Sequence, residues 1–345
     1  MVNEIREYFK NYTHKELPWV LLIMMPNQLS IANVFAKYVN TFVYAIGNEE
    51  LSRIKITNYS GRIFNKFSNH KVISSVLFKV LRSFAVRKVS VKPNYWQVPD
   101  PNLIDLVLVL DPIRINFDFR LFKNAVKAYW SQDCIHGGDY YSQVLAGVLD
   151  YDIVFCAHRQ YMHRFNSTKV FWLPYACDPQ LHKRIILPFK YDVAFIGNMP
   201  SSKSKIGKLR RELLAQLLEK LTNHKIFIGK AWQHDMIKLY NSSRLVLNIS
   251  RSRELNMRVF EVLGCGRPLL TDYVDEITDI FKNKEHLAMY SSLNELIDLI
   301  EYYLKNEEER EEMAKRGQEE CYKKHTLDHR VKTILEKSIN FKINI

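Results

Sequence analysis

Residues 245–272, LVLNISRSRELNMRVFEVLGCGRPLLTD, set the reading of the whole chain. Leu245 to Ile249 form an apolar run of strand length. Asn256 is a residue type favoured at helix N-caps, and a helix is predicted from Met257 to about Gly264. Gly264 and Gly266 stop it, and Pro268 blocks any continuation. Leu269, Leu270 and Thr271 then begin another strand. Strand, helix and strand on short connections make a βαβ unit, which implies a parallel sheet.

The predicted helix is apolar on nearly every face, with Met257, Val259, Phe260, Val262 and Leu263, so burial is expected. It nevertheless carries Arg258 and Glu261, three residues apart and neighbours on one face. Buried charges are costly unless paired or hydrogen-bonded. One reading is a structural Arg–Glu pair. The other is a ligand site, because the helix starts at the C-terminal end of a parallel strand, where open α/β sheets bind ligands. Free N–H groups and the helix dipole there suit a phosphate or diphosphate. Arg253 and Arg258, with the amides of Asn256, Met257 and Arg258, would add contacts to it. Glu261, one turn further in, would accept hydrogen bonds from a ribose diol.

The stretch RELNMRVFEVLGCGRPLLTD resembles the nucleotide-sugar signature of GT-B glycosyltransferases. It is most similar to the CgeB-like, or spore protein, glycosyltransferases, whose pattern N-x-R-x-F-E-x-x-x-x-G it matches from Asn256 to Gly266. In the wider group 1 family an E-x7-E motif ends on the Glu that binds the donor ribose, and Glu261 matches that position. The first Glu of the motif is replaced by Arg253, with Glu254 one residue away. YDVAFIGN from Tyr191 resembles the opening strand of the same C-terminal domain. AMYSSLNELIDLIEYYLKN and RGQEECYKKHTLDHRV resemble its last helices, so the likeness runs from about Tyr191 to Leu335.

The resemblance implies a GT-B fold, two Rossmann-like α/β domains facing across a cleft; the residue pattern alone supports two α/β domains. The expected domains are 1–185, on the acceptor side, and 186–345, which holds the nucleotide sugar. A Lys- and Pro-rich linker is read at about 179–190. LPYACDP just before it resembles a P-x-G-x-D-P stretch, with Ala176 in place of Gly. The tail after Thr326 is expected to cross back onto the first domain, as in the resembling fold.

Within the second domain, a strand ending in Gly197-Asn198 leads through MPSSKSKIGK into the helix LRRELLAQLLEKL. A glycine turn there can approach a sugar or phosphate closely, and Ser201, Ser202 and Lys203 add donors. Further expected elements are a strand at 224–230, a helix in HDMIKLYNSSR, a strand at Leu287–Tyr290, and helices from Leu293 to Lys305 and Glu307 to Lys324.

In the first half, strands are expected at Trp19–Met25, Thr41–Ile46, Leu103–Leu110, Val126–Trp130, Tyr151–Cys156 and Val170–Pro174, with helices at Ile31–Tyr38 and from AHRQYMHRF. The fourth strand runs into SQDCIHGGDYY, where Asp133, His136 and Asp139 cluster on a glycine-bearing loop. This is either a solvated turn or a catalytic loop. The resembling family often has an Asp after a Tyr-Trp strand, which Asp133 matches. The catalytic candidates are therefore Asp133, His136 and Glu254; Gly197, Asn198, Arg253, Asn256, Met257, Arg258 and Glu261 are candidates for holding the donor.

The chain has 345 residues, and 50 Lys and Arg against 37 Asp and Glu give a net charge of +13. That excess favours a phosphate-bearing partner. Segment 51–98 is rich in Lys and Arg, with apolar residues at helical spacing; it reads as a solvated basic face or as a peripheral contact with an anionic membrane. The five cysteines have no metal-binding spacing and fit a reducing, cytoplasmic address. His158 and His163 are poorly spaced for a shared metal, and no Asp-x-Asp motif lies near a strand end, so no metal is expected. No cofactor is expected beyond the donor, itself a substrate. The function read here is transfer of a sugar from a nucleotide-diphosphate sugar to a glycan, lipid or protein acceptor. A non-catalytic nucleotide-sugar binder and a GT-B-type epimerase are the alternatives. A basic nucleic-acid-binding protein is a further one, although no helix-turn-helix or RNA-recognition motif is present.

Overall fold

The computed structural model describes residues 17–24, 28–45, 101–110, 119–132, 151–165, 169–198, 205–251 and 253–343. The basic segment 51–98 lies outside them, as do Asp133, Cys134, His136, Asp139 and residues 201–203. By their contacts the residues form two compact units: 1–174 together with 327–345, and 175–326.

In the first unit six strands are described: β1 (Trp19–Met24), β2 (Asn40–Ala45), β3 (Leu106–Leu110), β4 (Val126–Ser131), β5 (Ile153–Cys156) and β6 (Val170–Trp172). Their order is β2-β1-β3-β4-β5-β6, with every neighbouring pair parallel. WVLLIM in β1 and LVLVL in β3 are apolar along their length and almost wholly buried, as strands covered on both faces must be. Helix α1 (Leu29–Tyr38) joins β1 to β2. The stretch AHRQYMHRF, expected to start an α-helix, forms a 3-10 helix at Arg159–Arg164, after which Phe165 is extended and buries its ring. A turn this short closes with the tighter i to i+3 pattern.

The second unit holds β7 (Tyr191–Ile196), β8 (Ile226–Gly229), β9 (Ser243–Asn248), β10 (Leu269–Asp272) and β11 (Ala288–Tyr290). These are parallel in the order β11-β10-β9-β7-β8. Its helices are α2 (Lys205–Lys220), α3 (Gln233–Asn241), α4 (Met257–Gly264), the short α5 (Asp275–Thr278), α6 (Leu293–Lys305) and α7 (Glu307–Lys324). Leu214 and Leu217 of α2 and Leu296 and Ile300 of α6 pack on Val193, Leu245, Leu247 and Leu270 of the sheet. Helix α7 packs instead on α4. The apolar periodicity of α6, capped where Ser292 Oγ accepts from the Glu295 N–H at 3.2 Å, shows why this element starts where it does.

The contact division at 174–175 lies ahead of the linker expected near 185. Residues 175–190 are tied to the second unit instead: the Ile185 N–H donates to Asn241 Oδ1 at 2.8 Å, and the Lys190 N–H to the Ser242 carbonyl at 2.8 Å. After α7 the chain enters α8 (Leu327–Ile339), which groups with the first unit and packs on α1. Asp328 accepts hydrogen bonds from the Tyr38 hydroxyl at 2.6 Å and from Lys37 Nζ at 3.0 Å. Arg330 Nε donates to the Pro174 carbonyl at 2.8 Å. Asp328→Ala is expected to lower stability by about 1–2 kcal/mol, because the phenol loses a charged acceptor. Urea unfolding measures this, and an unchanged midpoint would refute the tie.

Candidate functional site

In the second unit the chain passes from β7 outward to β8, then returns to place β9 on the other side of β7. Strand order therefore reverses between β7 and β9, and the carboxyl ends of strands at such a reversal are where open α/β sheets hold ligands. Gly197 and Asn198 follow β7. Residues 249–256 follow β9 and lead into α4.

Arg258 lies across the end of β7. Its Nε donates to the Ile196 carbonyl at 2.8 Å, and Nη1 to Asn248 Oδ1 at 2.7 Å. Its guanidinium carbon sits 5.0 Å from the centre of the Phe195 ring. A Cβ on Gly197 would come within 2.2 Å of Arg258 Nη2, so this arginine can occupy its place only because residue 197 has no side chain. Asn248 is fully buried and also receives Asn256 Nδ2 at 3.1 Å, while its own Nδ2 donates to Thr271 Oγ1 at 3.0 Å.

Asn256 does occupy the N-cap position of α4, but its side chain caps nothing. The buried Asn248 carboxamide competes for it, and Asn256 Oδ1 is left buried without a hydrogen-bond partner. Arg258 and Glu261 are not paired with each other, so the structural ion-pair reading of α4 does not hold. Glu261 Oε2 accepts instead from the Tyr240 hydroxyl at 3.2 Å. Burial raises the Tyr240 phenol far above its ordinary range, which keeps the proton on it and makes it a donor. Among the described residues Tyr240 is the single hydrogen-bond partner of the Glu261 carboxylate.

The other sequence candidates are placed as follows. Glu254 is 2% exposed, and its Oε1 accepts from the Arg251 N–H at 2.9 Å, inside the loop. Arg253 is exposed, with φ 54, a left-handed backbone that strains a non-glycine residue. Met257 is 43% exposed at the first turn of α4. The carbonyl of Asn198 accepts from Arg210 Nη1 at 2.9 Å. Asp133 and His136 fall outside the described residues.

Three residues of the neighbourhood escape a reading of the sequence. Arg210 reads as one more surface charge of α2, yet it is buried and also donates from Nη2 to the Ile249 carbonyl at 2.5 Å. Burial and the nearby Arg258 charge lower it to about 10. Tyr240 reads as an ordinary helix residue. Trp232, in the loop after β8, is 74% exposed. Its one sequence signal is an aromatic following a strand-ending glycine in a lysine-bearing loop. Cys156, Cys177, Cys265 and Cys321 are all buried free thiols. Among the described residues no group of three or more His, Cys, Asp or Glu is placed to hold a metal, and no helix is long and apolar enough to cross a membrane.

Residues 210–336 match the family described as "Glycosyl transferase-like". No curated protein matches the chain significantly. Among solved structures it is similar to HepE of Anabaena in complex with UDP, at 11% identity over 92% of this chain and 98% of that one, with a TM-score of 0.57. It is similar to a sucrose-phosphate synthase of Thermosynechococcus elongatus, at 12% identity over 93% and 98%, with a TM-score of 0.59. A glycosyltransferase of Rickettsia africae aligns at 13% identity over 93% and 97%, with a TM-score of 0.54. Two all-parallel sheets with these likenesses make the fold GT-B, and the match to the glycosyl transferase-like family runs from α2 into α8.

Proposed function

We propose that the protein transfers a sugar from a nucleotide-diphosphate sugar to an acceptor. The observation that carries this is α4: at the strand-order reversal it presents Arg258, held by the ends of β7 and β9, and Glu261, held by Tyr240 of α3, neither paired with the other. Glu261, oriented by Tyr240, has carboxylate capacity left for the two hydroxyls of a ribose. Arg258, with Arg253 and the amides of Asn256 to Arg258, supplies positive charge for a diphosphate. The unpartnered Asn256 Oδ1 is a further acceptor at the same helix end. Trp232 offers a flat face on which a base can stack.

In the reaction the bond between the sugar's anomeric carbon and the β-phosphate oxygen breaks, and the nucleoside diphosphate leaves with the electron pair. Charge grows on that oxygen while the sugar becomes oxocarbenium-like. Pre-placed arginines stabilise this charge without reorganising, often the largest catalytic contribution. The acceptor hydroxyl then bonds to the anomeric carbon and gives up its proton, for which Asp133 and His136 remain the candidates. This scheme uses the arginines rather than a resident metal to neutralise the diphosphate. The N-x-R-x-F-E pattern of α4 supports placement among the CgeB-like enzymes, and the UDP in the HepE complex makes UDP sugars the first donors to try.

A panel of nucleotide sugars tested for thermal stabilisation finds the donor, since a ligand at a hundred times its Kd adds roughly 2.7 kcal/mol. Glu261→Gln is expected to weaken binding of that donor by about tenfold, or ~1.4 kcal/mol, with the melting temperature of the free protein little changed. Equal affinity in parent and variant would remove the ribose role, and no stabilisation by any nucleotide sugar would remove the function.

A further inference from the structure

A second pocket opens at the ends of β9, β10 and β11, between α2 and the start of α6. Its volume is about 360 Å³, within the range of small-ligand pockets. Leu209, Leu213 and Ile249 give it apolar walls, and Tyr273 and Tyr290 add aromatic ones. Arg210, Arg251 and Arg253 line it with positive charge. The acid on its wall, Asp272, is engaged by Ser250, whose N–H donates to Oδ1 at 2.8 Å and whose hydroxyl donates to Oδ2.

Arg210 is the informative residue. It is only 4% exposed. Its guanidinium donates to two main-chain carbonyls, those of Asn198 and Ile249, but among the described residues no carboxylate forms an ion pair with it. Nε is buried with no acceptor at all. Glu254 and Asp272 lie near enough to act on its charge without pairing with it, and a ligand anion at its side would add charge-assisted hydrogen bonds to a cation that is costly to bury. The start of α6 adds little to this attraction, because Ser292 caps the Glu295 N–H and Glu295 Oε2 accepts from the Ser291 N–H at 2.7 Å.

We propose that this pocket is a second binding site, distinct from the nucleotide site on α4, for a sugar-sized molecule bearing a phosphate or a carboxylate. Arg210 and Arg251 take the anionic group, Arg253 being left to the diphosphate, and the leucine and tyrosine walls take the ring. Glu261 and Tyr240 serve the other site, on α3 and α4. The two sites meet at the loop that follows β9 and at the Asn198 carbonyl held by Arg210, and with different side chains serving each, both can be filled together.

Calorimetry on the full chain tests this with glucose 6-phosphate, glucuronate, inorganic phosphate and glucose as probes, each with and without saturating UDP. One or both sugar anions should bind at least roughly tenfold more tightly than glucose, the margin expected of a charge-assisted contact. The phosphate and carboxylate arms identify which group is recognised. Arg251→Gln and Ser291→Phe should each weaken that binding by roughly a further factor of ten, the second by filling the pocket from an exposed position. UDP affinity in Ser291→Phe should match the parent. Glucose binding as well as the anions, undiminished binding in Ser291→Phe, or competition by UDP would each overturn the proposal. Failure of UDP to bind the parent would instead count against the nucleotide site and leave the anion results to decide this one.

Discussion

Arg258→Ala will lower nucleotide affinity by one to two factors of ten, each about 1.4 kcal/mol. The side chain spans the end of β7 through the Ile196 carbonyl and Asn248, so its loss removes the cation nearest the start of α4 and loosens the buried Asn248–Asn256 contact. Arg258→Lys should restore little, because an ammonium cannot reach both anchors with a planar fork. The same variant separates a nucleotide site from general nucleic-acid binding. One charge in a net of +13 hardly alters collective attraction to RNA or DNA, whose strength falls with salt according to the phosphates contacted. Binding of nucleotide sugar and of nucleic acid is therefore measured for parent and variant at two salt concentrations. Intact nucleotide binding in Arg258→Ala, together with tight, salt-steep RNA binding, would sink the transferase reading.

The second large effect concerns the helix behind the site. Gly317 of α7 sits where a Cβ would lie 2.3 Å from the His286 carbonyl oxygen and 2.8 Å from Leu263 Cδ2 of α4. A backbone oxygen cannot turn aside as a side chain can, so Gly317→Ala must push α7 off the loop that carries His286 and disturb its packing on Leu263 of α4. Overpacking of this kind costs about 1–3 kcal/mol, and a contact this short belongs at the upper end. The gain from placing alanine in a helix, about 1 kcal/mol, offsets part of it. Net destabilisation by about 2 kcal/mol is expected in thermal or urea unfolding. Donor affinity should fall as well, because α4 carries Arg258 and Glu261. A variant as stable as its parent would mean that α7 does not approach the His286 carbonyl this closely.

Much of the second unit was legible in its residues, and the reasons are local. Glycines and Pro268 end α4 within the stretch itself, a serine cap starts α6, and α7 announces itself by its acidic first turn and basic last turn. What could not be read depends on groups brought together from far apart. The burial of Arg210 requires the Ile249 carbonyl, 39 residues away. The turning of Asn256 from cap to partner requires Asn248 to be buried beside it. The pocket by Arg210 has no linear signature, since its walls come from α2 and from the ends of three strands. Glu261 stands out in the sequence as a charge on an apolar helix, but its partner Tyr240 lies on a different helix.

The return of α8 to the first unit has a consequence for how the protein is made. Residues 175–326 are inserted into a unit whose helix α8 is synthesised only after all of them. At ~5–20 residues per second, the sheet of the first unit waits roughly 10–30 s after Pro174 is added before α8 emerges to cover α1. The second unit has no such delay, because all of its strands and helices are complete once Thr326 is in place. A ribosome that stops there would release a complete second unit attached to a first unit lacking α8, so nonsense changes at that point should act through aggregation of the first unit rather than through damage to the donor site.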